Sequence, residues 1–264
     1  MGWLVALGVL TAVMSPARAQ AGSPAGFPVL VFHDVQPDEE IPAALTIIHL
    51  PMFKQQMRYL HDQGYQTLTL NELDEYLSGK KIITKKVVVL QFDDGLKSVA
   101  DVLPVLTENN LKADFGIISD NVGGPAYLKW ADIIKISDNP RYEVLSHSRT
   151  HACSSSGLYD GKRDQRSEKV ESEIADSRQV ISEKIGKSVK GLVWPCGNFN
   201  ETAAKFAVRS GYTMLFLTDG KLNYVGKDHR DIHRTFVSGN CGMKEFIQTL
   251  SDGKFRDCPV PKAH

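Results

Sequence analysis

Two runs in the chain place acid and imidazole groups where apolar segments stop. Val87 to Gly95, VVVLQFDDG, has the composition of a buried strand and ends in adjacent carboxylates, Asp93 and Asp94, and a glycine. Neighbouring aspartates leaving a strand through a turn can take different tasks, Asp94 binding a cation while Asp93 faces a substrate. Asp-Asp-Gly is also an ordinary turn sequence. Glu143 to His151, EVLSHSRTH, again begins as a strand and releases His147 and His151 at its end. Four-residue spacing lets two imidazoles converge on one ion where the intervening chain makes a helical turn, and otherwise describes two surface histidines. One carboxylate oxygen and two imidazole nitrogens leave coordination positions open, as metal-assisted hydrolysis requires.

Two more strand-end runs carry polar groups. In Gly191 to Asn200, GLVWPCGNFN, Pro195 and Gly197 either fix a sharp path that aims the Cys196 N–H at an oxyanion or make a plain loop. Val29 to Val35, VLVFHDV, ends in His33 and Asp34, which either line a substrate groove or merely cap the strand layer.

These residues need a scaffold that gathers strand ends at one place, and the surrounding pattern supplies it. Apolar, β-branched runs alternate with amphipathic segments from Phe27 to about Gly253, the mark of βα units. Strands are expected over Val29–His33, Gln66–Leu70, Val87–Phe92, Ala113–Ile118, Tyr142–Leu145, Gly191–Trp194, Thr213–Leu217 and Ile232–Val237. Several are apolar throughout, as strands covered on both faces should be. Phe53, Met57 and Leu60 share one helical face before Gly64, and Val170, Ile174, Ile181 and Ile185 form a stripe ending at Gly186. Asn71 and Asn200 are expected N-caps. The expected fold is α/β, a distorted (β/α) barrel with seven or eight strands, whose strand C-termini would meet at one mouth. An open doubly wound sheet gives a similar alternation.

The bulk numbers narrow the function. A chain of 264 residues with 42% hydrophobic content can bury a substantial core. Lysine plus arginine equals aspartate plus glutamate, 31 each, so no overall field draws nucleic acid or an anionic membrane. Trp3 to Met14 is almost wholly apolar and leads into Ala17-Arg18-Ala19, the small-x-small form of a signal-peptidase site. We therefore read residues 1–19 as a signal peptide, residues 20–264 as one catalytic domain, and the product as exported to the periplasm or beyond the cell, with no integral membrane segment after cleavage. Cys241 and Cys258 are expected to pair and clip the tail around Pro259 and Pro261, while Cys153 and Cys196 match no zinc-ribbon or CxxC spacing. Free buried thiols are the alternative.

Phe92-Asp93-Asp94-Gly95, His147-Ser148-Arg149-Thr150-His151 and Trp194-Pro195-Cys196-Gly197, in that order, resemble the first three motifs of the polysaccharide deacetylases, carbohydrate esterase family four. The resemblance spans roughly Phe27 to Val237, and the VFHDV and WPxG forms look closest to bacterial deacetylases of poly-β-1,6-N-acetylglucosamine. It implies a metal-dependent hydrolase that removes N-acetyl groups from an amino-sugar polysaccharide, with Asp93 as general base and Asp94, His147 and His151 as ligands of a divalent transition metal, zinc first. His33, Asp34 and Trp194 would bind substrate, and the Cys196 N–H would assist catalysis. An O-acetyl xylan esterase, or a non-catalytic saccharide-binding module of the same fold, would carry a similar pattern.

Departures from the family pattern are informative. Many members carry an arginine where this chain has Val193, so another residue must hold Asp93. The usual tyrosine after the proline is Cys196, and the later motifs have no clean match. His233, in DIHRTFV, is the late strand-end histidine taken as candidate general acid.

Overall fold

A computed structural model describes residues 26–37, 41–153, 167–197, 199 and 201–259. Residues 1–19, including the expected cleavage point, and Asn200 lie outside these.

All of the expected strands are present, though several are shorter. A parallel sheet runs in the order β10 (Thr235–Phe236), β1 (Val29–Phe32), β5 (Val87–Phe92), β6 (Ala113–Ile117), β7 (Tyr142–Ser146), β8 (Gly191–Val193), β9 (Met214–Phe216), with β4 (Gln66–Thr67) paired to the start of β5. Ile232 bridges Phe216 of β9, and three residues later Thr235 pairs with Leu30 of β1, so one short segment touches both edges of the curled sheet. This is the distorted (β/α) barrel that the alternation implies, and the open doubly wound sheet is excluded. Two strands were not foreseen. β2 (Asp34–Gln36) and β3 (Ile47–His49) form a separate parallel pair, each three residues long and each ending in a polar residue, too short for a periodic signal.

Strand side chains alternate between two faces, and here both faces are buried. Phe32, Phe92 and Phe115 stack on the outer face, with ring centroids 5.3 Å apart at both steps. They join the larger core between the sheet and the helices α1 (Leu50–Asp62), α3 (Val99–Glu108), α4 (Trp130–Asp138), α7 (Glu201–Arg209) and α8 (Met243–Asp252). Val29, Val87, Val89, Leu145, Val193, Met214, Phe216 and Ile232 form a second cluster inside the barrel.

Helix α2 (Leu70–Leu77) plugs that interior from below, contributing Leu70, Leu73, Tyr76 and Leu77. A Cβ built on Gly191 would stand 2.7 Å from Leu145 Cδ2 of β7 and 3.4 Å from Leu70 Cδ1 of the plug, so the glycine makes room for the neighbouring strand and the plug together. The cap of α2 is Thr69 rather than Asn71, because Thr69 and Glu72 complete a capping box. Asn71 instead ties Glu143 to Lys190.

The Val170-to-Ile185 stripe is one helical run, α5 (Ser167–Glu171) and α6 (Ser177–Ile185), joined by a π turn over Ser172–Asp176. The expected Cys241–Cys258 disulfide is present, and Cys153–Cys196 forms a second that spacing did not suggest, while Pro261 of the tail lies outside the described residues. Among the described residues no helix is long and apolar enough to cross a membrane.

Candidate active site

Inward alternation along the strands ends in polar groups at the C-terminal mouth. On β5 the inner series Val87, Val89, Gln91 continues to Asp93, and on β7 the series Glu143, Leu145 continues to His147. Gly116 of β6 leaves the room they need: a Cβ there would lie 3.3 Å from Asp93 Oδ1 and 3.5 Å from His147 Cβ.

Asp94, His147 and His151 converge, with one donor atom from each lying within 4.8 Å of the others. His147 Nε2 is 3.5 Å and His151 Nε2 is 3.7 Å from Asp94 Oδ1. Donors about 2.1 Å from a shared tetrahedral ion stand roughly 3.4 Å apart, so the set fits a divalent ion with little adjustment. Two further observations support that fit. Asp94 Oδ1 is buried without a hydrogen-bond partner, and His147 directs Nδ1 to the Val193 carbonyl at 3.0 Å, leaving Nε2 for the cluster. Burial holds the His147 imidazole down at about 4 and also lowers His151, so both rings are neutral donors at pH 7. Burial raises Asp94 to about 6, with Asp93 adding to the rise against His33. A cation would reverse that cost.

Asp93 is buried beside this cluster. Burial alone would raise its pKa, but Arg234, His147 and His33 outweigh it and hold the carboxyl well below the usual range. Arg234 is the clamp whose identity the sequence left open at Val193. Its Nη1 donates to Asp93 Oδ1 at 2.9 Å, Nε to the Leu217 carbonyl at 3.1 Å and Nη2 to Thr218 Oγ1 at 2.8 Å. Asp93 Oδ2 is left facing the cluster, 3.8 Å from His147 Nε2. The signal for Arg234 was period-two alternation: Ile232, Arg234 and Phe236 share the inner face, which puts His233 on the other.

The structure accordingly does not bring His233 to the cavity. Its Nε2 accepts from Lys227 Nζ at 2.7 Å, and its Nδ1 lies 2.9 Å from Asp219 Oδ1. Asp219, just after β9, does line the cavity. That cavity, of about 570 Å³, is bordered by His33, Asp93, His147, His151, Trp194, Cys196 and Arg234, with Leu45, Phe236 and Phe255 as apolar walls. His33 stacks on Phe236 at 4.5 Å, and Trp194 stacks on Phe199 at 5.0 Å. Asp34 is not among the lining residues, since it turns back into the β2–β3 pair and accepts from Gln36 Nε2 at 2.6 Å. Cys196 borders the cavity as half of the disulfide to Cys153, not as a free thiol.

The loop between the histidines is held by a residue the sequence reading missed. Glu173, in the π turn, accepts from Thr150 N at 2.8 Å, Arg149 N at 3.1 Å and Thr150 Oγ1 at 2.6 Å. Ser177 Oγ donates to the Ser148 carbonyl at 3.0 Å. A π turn locally re-aims helix side chains and is frequent at functional sites, and apolar periodicity gives no sign of it. Among the described residues five non-glycines have left-handed backbone, and Asp94 (φ 72°), Ser148 (63°), His151 (59°) and Cys196 (57°) all belong to this mouth. Backbone strain of this kind persists where surrounding contacts over-determine it.

Fold and site together define a class: an α/β-barrel protein whose C-terminal mouth sets donors for a divalent ion beside an ionised carboxylate. The polysaccharide deacetylase family model matches residues 80–215, and the chain belongs to that family. It is 27% identical over 216 residues, 81% of this chain and 72% of the other, to a putative polysaccharide deacetylase, YxkH, of Bacillus subtilis (strain 168). It is 23% identical over 262 residues to the poly-β-1,6-N-acetyl-D-glucosamine N-deacetylase of Escherichia coli (strain K12), covering 85% of this chain but only 38% of that protein. The Streptococcus pyogenes deacetylase PplD, solved in complex with acetate, superposes with a TM-score of 0.75 at 23% identity, covering 86% of this chain and 99% of that one.

Proposed function

We propose that the chain is an exported, divalent-metal-dependent deacetylase that removes N-acetyl groups from a β-linked glucosamine polymer, with zinc as the ion. The observation that carries this reading is the pairing at one mouth of two differently treated carboxylates: Asp93, clamped by Arg234, and Asp94, buried with an unpartnered oxygen among two imidazoles. Opposite environments are how two neighbouring acids acquire two roles.

Asp94, His147 and His151 would hold the ion, which when bound supplies Lewis-acid stabilisation of negative charge on oxygen. Asp93 stays ionised through the neutral range and accepts the proton of the attacking water through Oδ2, while Arg234 fixes the carboxylate through Oδ1. The Cys196 N–H, on the cavity wall, would assist the charge on the acetyl oxygen. His33 offers a ring edge and face to a sugar, Trp194, fully buried against Phe199, backs the wall behind it, and the apolar Leu45, Phe236 and Phe255 suit its hydrophobic face. His233 reaches the cavity only through Asp219, so any part it takes in protonating the amine runs through that carboxylate. Acetate and a free amine are the products. The E. coli relative acts on poly-β-1,6-N-acetyl-D-glucosamine, which makes that polymer the first substrate to test.

The experiment measures acetate released from β-1,6-linked N-acetylglucosamine oligomers and, in parallel, from acetylated xylan, before and after treatment with a chelator. Release from the oligomers alone, abolished by chelation and restored by zinc, is expected. Release from xylan alone would make the protein an O-acetyl esterase. No release from either would leave a saccharide-binding module.

A further inference from the structure

The chemistry at this mouth extends past the metal triad. Cys153 follows His151 by two residues, and Cys196 sits in the turn after β8. A ligand atom of His151 and the two sulfurs all lie within 4.8 Å of one another. His151 thus faces two donor groups with its two nitrogens. Nε2 looks toward Asp94 at 3.7 Å, while Nδ1 lies 3.9 Å from Cys153 Sγ. An imidazole can serve two ions, one through each nitrogen.

The two disulfides differ in access. Cys196 is exposed and borders the open cavity, whereas Cys241 is buried, its partner Cys258 is half-buried, and neither lines that cavity. A reductant entering the substrate cavity therefore meets Cys196 first, and attack on a disulfide depends on such access. Reduction would leave two sulfur ligands beside a neutral imidazole, a soft donor set suited to thiophilic ions.

We propose that the Cys153–Cys196 disulfide covers a second, redox-controlled metal site made of Cys153, Cys196 and the Nδ1 of His151, selective for a thiophilic divalent ion. An external dithiol attacks the disulfide. The S–S bond breaks, the protein gains two electrons and two protons as two thiols, and the dithiol closes to its own disulfide. Binding of the ion then displaces the two thiol protons and, when Nε2 of His151 already holds the first ion, the remaining imidazole proton as well, leaving a bridging imidazolate. Because His151 also belongs to the candidate triad, reduction couples the redox state of the surroundings to the ligands of that centre. This inference goes beyond deacetylation and does not depend on it.

The test titrates cobalt(II) into the whole chain, oxidised or reduced with dithiothreitol that has been removed anaerobically. The oxidised protein is expected to show no thiolate-to-cobalt charge-transfer band. The reduced protein should bind one additional equivalent with that band, and Cys153→Ser/Cys196→Ser, reduced identically, should lose both. Any band from Cys241 and Cys258 is common to the two reduced proteins and subtracts. Equal uptake and equal spectra for reduced wild type and reduced double variant would overturn the proposal. Should circular dichroism show the double variant unfolded, Cys241→Ser/Cys258→Ser replaces it: a band on reduction is expected there, and its absence is equally decisive. The readout is independent of turnover. A chain inactive on every glycan can show the band, and an active deacetylase can lack it.

Discussion

At the lower end of the barrel the polar groups around the plug meet partners, and at the upper end Asp94 and His33 each keep a buried atom waiting for one. Below, Glu72 receives Lys81 at 2.9 Å and Lys112 at 2.6 Å, the Lys112 N–H donates to Thr67 Oγ1 at 2.8 Å, and Asn71 links Glu143 and Lys190 around the apolar plug of α2. Above, Asp94 Oδ1 and His33 Nδ1 are buried without hydrogen-bond partners, and four residues hold left-handed backbone. An unsatisfied buried polar atom costs about 1–3 kcal/mol. One end therefore contributes stability, and the other holds unmet bonding capacity that an ion or substrate can fill.

The contrast breaks most visibly at Asp93. Asp93→Asn should lower acetate release by about 10²–10⁴-fold while metal content stays at the wild-type value, and a loss under tenfold would remove Asp93 as base. Arg234→Met makes the upper end costly to stability as well, because it strands a buried carboxylate. Urea unfolding should show a loss of about 3–5 kcal/mol, largely recovered in Asp93→Asn/Arg234→Met. Leu70→Ala attacks the lower end, where a cavity in the plug should cost about 2–5 kcal/mol with turnover of the folded fraction unchanged. If turnover fell in proportion, the two ends would not be separable.

Glu173→Gln sharpens the upper end without touching a ligand. It should weaken zinc affinity by about 10–100-fold, read by competition with a chromophoric chelator, with a far smaller change in unfolding. The smallest effect is at Glu72. Burial raises its carboxyl, but hydrogen bonds from Lys112 and Lys81 outweigh this and hold it at about 2, below the ordinary glutamate value of 4.5. A depressed folded pKa gives stability that is full above about pH 4.5 and lost as pH falls toward 2. Partial exposure keeps this under about 1 kcal/mol, and Glu72→Gln should flatten that part of the pH–stability curve.

The two ends were also unequally legible in the sequence. Asp93, Asp94, His147 and His151 could be read because each leaves a long apolar strand, and strand ends in a barrel must meet. The third strand-end turn, at Trp194 and Cys196, was found for the same reason. What supports them was hidden. Arg234 lies in a segment read as a strand, but the eye goes to His233 unless inward and outward positions are counted from Ile232. Glu173 depends on a π turn that shifts helical phase without altering composition. The Cys153–Cys196 bond joins residues 43 apart in sequence, brought together only once β7 and β8 are neighbours. Asp34 looked like a cavity residue because it follows His33, yet the unforeseen β2–β3 pair claims it.

The segment from Ile232 to Phe236 touches β9 at one end and β1 at the other, and Arg234 lies between these contacts. During synthesis β1 through β9 leave the ribosome before this segment does. Asp93 can be enclosed by its neighbours before then, but without the guanidinium it lacks the strongest of the groups that keep it charged. The closing segment of the barrel thus completes the proposed base, and a chain cut short before Arg234 carries the candidate ligands without the group that fixes the carboxylate beside them.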